Sequence, residues 1–178
     1  MEKLVKRYEG EHVRLVPLVR GMNDERGVIA FVIWNAIEQA GDWERIFWDS
    51  PADPKKGDLF FFLEAMANSA AVMFEERQTN ALAGLIWFNT FDPKDGSAHI
   101  HIWTDPVHRG APTREMALIA TDYAFIVLKL KRLIGISPYP VIRNLGLRCG
   151  YKEKDRQEVV DFNGMKRTLY RVEREFHG

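Results

Sequence analysis

The sequence predicts an α+β fold: a mixed, mostly antiparallel sheet flanked by helices on both faces. Three observations lead there. Three strand-like segments, 71–77, 81–91 and 97–105, follow one another across the turn-forming stretches "QTN" and "DPKDG", which is the pattern of an antiparallel meander. A long helical apolar repeat then stands between two strand-like segments, an arrangement that the right-handed crossover rule joins as a parallel pair. The 178 residues contain no internal repeat, low-complexity run or dividing linker, so residues 1–178 are expected to form one domain with a core of ordinary size.

The elements follow in order. "EHVRLVPLV" (11–19) alternates apolar and polar residues as a strand does, with Pro17 tolerable near its end. From Asp24 the spacing becomes helical, with Val28, Phe31, Val32 and Ala36 on one face. An aromatic cluster of Trp34, Trp43, Phe47 and Trp48 runs into a stretch rich in Gly, Asp and Pro that reads as loop. Asp58 is placed to cap a second helix, "LFFFLEAMANSA", whose consecutive phenylalanines imply burial on more than one side. After the meander, Met116, Ile119, Ala120, Tyr123, Val127 and Leu130 keep helical spacing from Thr113, over about five turns. "RLIGIS" reads as a buried strand, Pro138 and Pro140 interrupt the chain, and "VIRNLGLRCGY" is a short helix closed by Gly150. The tail, 156–176, is a hairpin about Asn163-Gly164.

Composition narrows the function. Twenty-five basic residues balance twenty-five acidic ones, so the broad positive field that draws proteins to nucleic acid or anionic membranes is missing. Cys149 is the single cysteine, which excludes an intrachain disulfide and a cysteine-based metal cluster and suits a reducing compartment. Charges interrupt every apolar run well before the length a membrane span needs. The expectation is a soluble, cytoplasmic protein with no nucleic-acid or membrane partner and no metal.

The stretch "SAHIHIWTDPVHRGAPTREM" (97–116) carries the chemistry. Its "TDPVHRGAPTREM" resembles the Asp-Pro-x-aromatic-Arg-Gly turn, glycine-rich loop and Glu-bearing helix start of the GNAT superfamily of acyl-CoA-dependent N-acetyltransferases. The likeness is greatest to the branch that includes the ribosomal-protein N-terminal acetyltransferases. "DYAFIVLKLKRLIG", "RCGY" and "FNGMKRTLYRVEREF" match later motifs of that family in order and spacing. The resemblance implies a GNAT-like domain that takes acetyl-CoA as acyl donor and a small-molecule or peptide amine as acceptor, with a homodimer among the expected assemblies. It also implies that Trp103 and Thr104 offer main-chain groups to pantetheine and that His108 packs in the turn or against pantetheine. Arg109, Gly110, Ala111, Thr113 and Arg114 would hold the pyrophosphate. Unpaired N–H groups at a helix start, at the positive end of its dipole, give that last assignment a physical reason.

Three positions depart from the pattern. "RGAPTR" is one residue short of the usual glycine-rich loop and carries Pro112, which lacks an N–H. "PYPVIRN" replaces the usual Asn region, with Tyr139 near the Asn position, and Gly146 stands where many relatives carry a tyrosine that protonates the departing thiolate. Tyr139 is the replacement acid the sequence offers. His99 and His101 share one strand face, and a His-x-His there resembles the proton-removing pair of arylalkylamine acetyltransferases; imidazole suits the task because it titrates near neutrality. Trp34, Trp43 and Trp48 are expected to wall the acceptor, while Asp42, Glu44 and Asp49 read as loop charges that are solvated or draw in an amine. The expected reaction is direct acetyl transfer in a ternary complex. The alternative is a catalytically impaired GNAT-fold module for acyl-CoA binding or protein interaction.

Overall fold

The computed structural model describes residues 8–17, 23–46, 62, 66, 69–161 and 164–177, with backbone only at 23–30 and 44. Seven strands form one sheet in the order β1-β2-β3-β4-β5-β7-β6. They are β1 (Val13–Pro17), β2 (Ala70–Glu76), β3 (Leu82–Asp92), β4 (Ser97–Thr104), β5 (Arg132–Ser137), β6 (Lys152–Val160) and β7 (Lys166–Glu175). All neighbours are antiparallel except β4 and β5. That parallel pair is joined through α3 (Ala111–Ile126), as expected. The other helices described are α1 (Asn23–Ala40), the single turn α2 (Trp43–Ile46) and α4 (Pro140–Arg148). Phe62 and Met66 are helical too, while the rest of the helix expected over 59–70 lies outside the described residues. The helix expected from Thr113 to Leu130 starts at Ala111 and stops at Ile126, and Lys129 turns the chain away with φ 59°.

Strand alternation divides the core between the two sheet faces. Val72, Phe74, Ile86, Phe88, Ala98 and Leu133 meet α3 through Met116, Ala117, Ala120 and Ala124. Small residues on α3 allow a close approach, and Gly84 makes it closer: a Cβ there would lie 2.4 Å from both the Met116 terminal methyl and the Trp103 carbonyl. At this face Thr121 Oγ1 lies 2.9 Å from the Tyr151 hydroxyl and donates to Ala117 O, so both buried hydroxyls are satisfied.

On the other face Leu85, Trp87 and Trp103 pack against Ile33 and Ile37 of α1, with Trp43 and Phe62. Here the helical face read from sequence is corrected, because Phe31 and Val32 are 49% and 47% exposed while Ile37 is fully buried. "GVIAFVIWNAI" is apolar nearly all round, so its periodicity does not single out one buried stripe. Glu115, in the first turns of α3, ties that helix to the first strand: its carboxylate accepts from the N–H groups of Glu11, His12 and Val13 and lies 2.8 Å from His12 Nδ1. Glu11, His12 and Glu115 are the convergent trio of metal-ligand types among the described residues, but with the carboxylate taken up by these bonds the trio acts as a strap.

Candidate active site

The site begins with a failure of strand pairing. β4 and β5 pair only at Ser97–Arg132, Ala98–Leu133 and His99–Ile134. β5 then runs into Pro138 and Pro140, which cannot donate to a ladder, and α4 starts at Pro140, while β4 continues to Thr104. From Ile100 onward, one edge of β4 therefore faces a wedge-shaped cleft of about 610 Å3 instead of a neighbouring strand.

One wall belongs to the α1 side of the sheet. The His101 ring stacks on Trp87 at 5.0 Å with an 8° interplanar angle, and its Nε2 lies 2.9 Å from Asn89 Oδ1. With that oxygen as acceptor, Nε2 carries the hydrogen and Nδ1 is the basic nitrogen. Burial, reinforced by the neighbouring His99, pushes the His101 pKa down to about 4, so the ring is uncharged at neutral pH. Above it, the buried Asp42 carboxylate accepts from the Trp103 indole N–H at 3.0 Å and from Arg109 at 2.6 Å, both on Oδ2. Asp42 follows Gly41, which ends α1 with φ 64°, and its carbonyl accepts from the N–H groups of Arg45 and Ile46 to begin α2.

The mouth is the β4–α3 junction. Asp105 Oδ1 accepts from Val107 N at 3.0 Å, starting the 3-10 turn Pro106–His108. Gly110 then adopts φ 115°, ψ −121°, a conformation only glycine takes without strain. Thr113 Oγ1 accepts from Gly110 N and donates to His108 O. Pro112, the second helical residue, has no N–H. Of the helix-start donors, those of Ala111 and Thr113 remain for a ligand. Arg114 and Arg148 border the cleft from α3 and α4, exposed and without a carboxylate partner among the described residues.

The opposite wall comes from β5 and α4. Half-buried Tyr139 caps α4, its N–H donating to Ser137 Oγ. Arg45 reaches across from α2, its guanidinium carbon 5.7 Å from the Tyr139 ring centroid. Gly146 does not line the cleft; a Cβ there would lie 3.0 Å from a Val172 methyl on β7, a contact that Val172 would have to yield to.

Of the residues singled out from sequence, His101, Trp103, Thr104, Arg109, Gly110, Ala111, Thr113, Arg114 and Tyr139 line this cleft. His99 shares the face of His101, as alternation requires, but sits where β4 and β5 are still paired. His108 is buried on the far side of the turn, 3.7 Å from both Glu76 and Asp105, against a separate small hollow lined also by His12. Trp34 and Trp43 belong to the core around α1: Trp34 stacks on Phe31, and Trp43 meets Phe62 edge-on and donates to Glu38. Trp48, Phe47 and Asp49 lie outside the described residues. Asp42 is corrected: it is only 7% exposed rather than a solvated loop charge. The reading missed Arg45, Trp87 and Arg148. Arg148 falls in the last turn of a recognisable helix, whereas Trp87 shows its role only through its cross-strand pairing with His101.

A sheet splayed beside a helix start of this kind defines a class: the fold is that of the GNAT acetyltransferases. Among solved structures, the chain is similar to the spermidine N-acetyltransferase of Vibrio cholerae in complex with CoA and spermine, with 22% identity, a TM-score of 0.68, and 93% of this chain and 96% of that one covered. It is similar to the ribosomal-protein-S5-alanine acetyltransferase of Vibrio fischeri, with 12% identity, a TM-score of 0.67, and coverage of 94% and 95%. It is also similar to the microcin C7 self-immunity acetyltransferase MccE in complex with acetyl-CoA and AMP, with 14% identity, a TM-score of 0.70, and 94% of each chain covered. No protein-family model matches the chain, and no curated protein matches it in sequence.

Proposed function

We propose that this protein is an acetyl-CoA-dependent N-acetyltransferase acting on a primary amine by direct attack in a ternary complex. The observation that carries the reading is the coincidence of an unpaired strand edge on β4 with a glycine-opened helix start and two free arginines at one cleft mouth. An unpaired edge suits the amides of a pantetheine arm, which can add to it as a strand does. The Ala111 and Thr113 N–H groups suit a pyrophosphate, with Arg114 and Arg148 adding charge. The complexes of two structural neighbours, one with CoA and one with acetyl-CoA, support the donor.

In the reaction the amine nitrogen bonds to the thioester carbonyl carbon, the C–S bond breaks, one amine proton is lost and the thiolate gains one. An ammonium must first lose a proton. His101 is uncharged and on the cleft, but a ring pushed down to about 4 is a weak base at neutral pH. It suits accepting a hydrogen bond from the amine or a water better than full proton removal. Tyr139, on the facing wall, is the phenol available to the thiolate. The test is a thiol-release assay with acetyl-CoA over a panel of polyamines, peptide N-termini and aromatic amines. Turnover that falls in His101→Ala and Tyr139→Phe supports the reading.

A second reading, an acyl-CoA-binding module without turnover, is favoured by one specific feature: Pro112 and the Thr113 cap leave the donor turn with few free N–H groups. CoA binding with no turnover on any amine of the panel selects it. Absence of CoA binding rejects both.

A further inference from the structure

Arg109 is the cleft arginine hydrogen-bonded to a carboxylate. Its guanidinium lies 2.6 Å from Asp42 Oδ2, on the same oxygen that accepts from the Trp103 indole. Asp42 is 67 residues away in sequence and belongs to the turn between α1 and α2, on the acceptor side of the sheet. Trp103 and Arg109 belong to the strand end and turn of the donor side. A carboxylate as buried as Asp42 needs such partners, because an unpaired buried charge is strongly unfavourable. Arg45 Nη1, at 3.9 Å from Oδ1, is within ion-pair range but too far for a hydrogen bond.

We propose that Arg109 is a positioning residue and not a pyrophosphate ligand: with Trp103 it clamps Asp42, locking the α1–α2 turn onto the donor turn so that the acceptor wall is fixed relative to the bound acyl group. Turning Arg109 toward a phosphate would strip Asp42 of its hydrogen-bonded cation and leave only the longer Arg45 contact, whereas Arg114 and Arg148 have no such bond to lose among the described residues. Because Arg45 starts in this same turn and packs over Tyr139, the clamp also sets the distance between the two walls. Its use in catalysis rests on the acetyl-transfer reading; its existence does not.

Hydrogen exchange over residues 41–46, together with calorimetric titration of CoA, tests it on Arg109→Gln, Arg109→Lys, Asp42→Asn and the Arg109→Gln/Asp42→Asn double variant. Either single loss, at Arg109→Gln or Asp42→Asn, should speed exchange in 41–46 by about tenfold or more, and the double variant should add little to either, as expected when one interaction is removed twice. Arg109→Lys should keep most of the protection. CoA affinity should change by less than about threefold in Arg109→Gln, and by about tenfold or more in Arg114→Ala, which removes a charge-assisted contact. Unchanged exchange in Arg109→Gln alongside a tenfold loss of CoA affinity overturns the proposal. A wild-type protein that binds no CoA removes the acetyl-transfer reading instead, and the exchange arm still decides the clamp.

Discussion

The two faces of the sheet are filled with different chemistry. Under α3 the core is Phe74, Phe88, Leu133 and a row of alanines, with the hydroxyl pair Thr121 and Tyr151 closed on itself and the Tyr8 hydroxyl buried without a hydrogen-bond partner among the described residues. Under α1 it is indoles and isoleucines interrupted by a neutral imidazole on Trp87 and a buried carboxylate held by Trp103 and Arg109. An apolar face needs only shape and volume; a face with buried polar groups is satisfied only by specific partners, and it opens where those partners are reached from a cleft. The α3 face carries stability, and the α1 face carries the polar wall of the cleft.

Substitutions can break or sharpen that division. Phe88→Ala, at a fully buried position on the α3 face, should lose about 3–5 kcal/mol in urea unfolding. The folded protein should bind CoA as before; a parallel loss of affinity would show that the faces are not separable. On the other face, His101 makes stability depend on pH. Its folded value near 4 lies below the unfolded 6.5, so on acidification the unfolded chain takes up the proton first. The contribution, about 3 kcal/mol, is complete above pH 6.5 and is lost as pH falls toward 4. The wild-type curve minus that of His101→Phe should show this slope, and parallel curves would contradict it.

Smaller effects refine the comparison. Thr121→Val strands the Tyr151 hydroxyl and should cost about 2 kcal/mol, with activity per folded molecule unchanged. Gly110→Ala meets no atom within 4 Å, so its cost comes from the backbone alone, roughly 1 kcal/mol or more. The same change should shift the Ala111 and Thr113 N–H groups and weaken CoA binding more than Phe88→Ala does.

How much of this was legible in the sequence follows from the range of each interaction. The meander and the terminal hairpin rest on turns such as Asp95-Gly96 and Gly164, where positive φ is local chemistry. The crossover through α3 was readable because its apolar repeat is long and the strands beside it are distinct. The buried face of α1 was not, since its apolar residues lie nearly all round and, among those described, Ile33 and Ile37 are the ones fully enclosed. His99 and His101 look alike in sequence; what separates them is that the β4–β5 pairing ends between them. Asp42 is a polar residue after a helix-ending glycine until partners 61 and 67 residues away bury it. Nothing local encodes that meeting.

The central claim is that the splayed edge of β4 and the start of α3 form a coenzyme A site whose phosphate end is Ala111, Thr113, Arg114 and Arg148. Calorimetric titration of CoA into the wild type and the Arg114→Ala/Arg148→Ala double variant tests it directly. The account predicts saturable one-to-one binding by the wild type and a loss of about tenfold or more in the double variant, each contact being charge-assisted. Binding that is absent from the wild type, or equally tight in the variant, would contradict it.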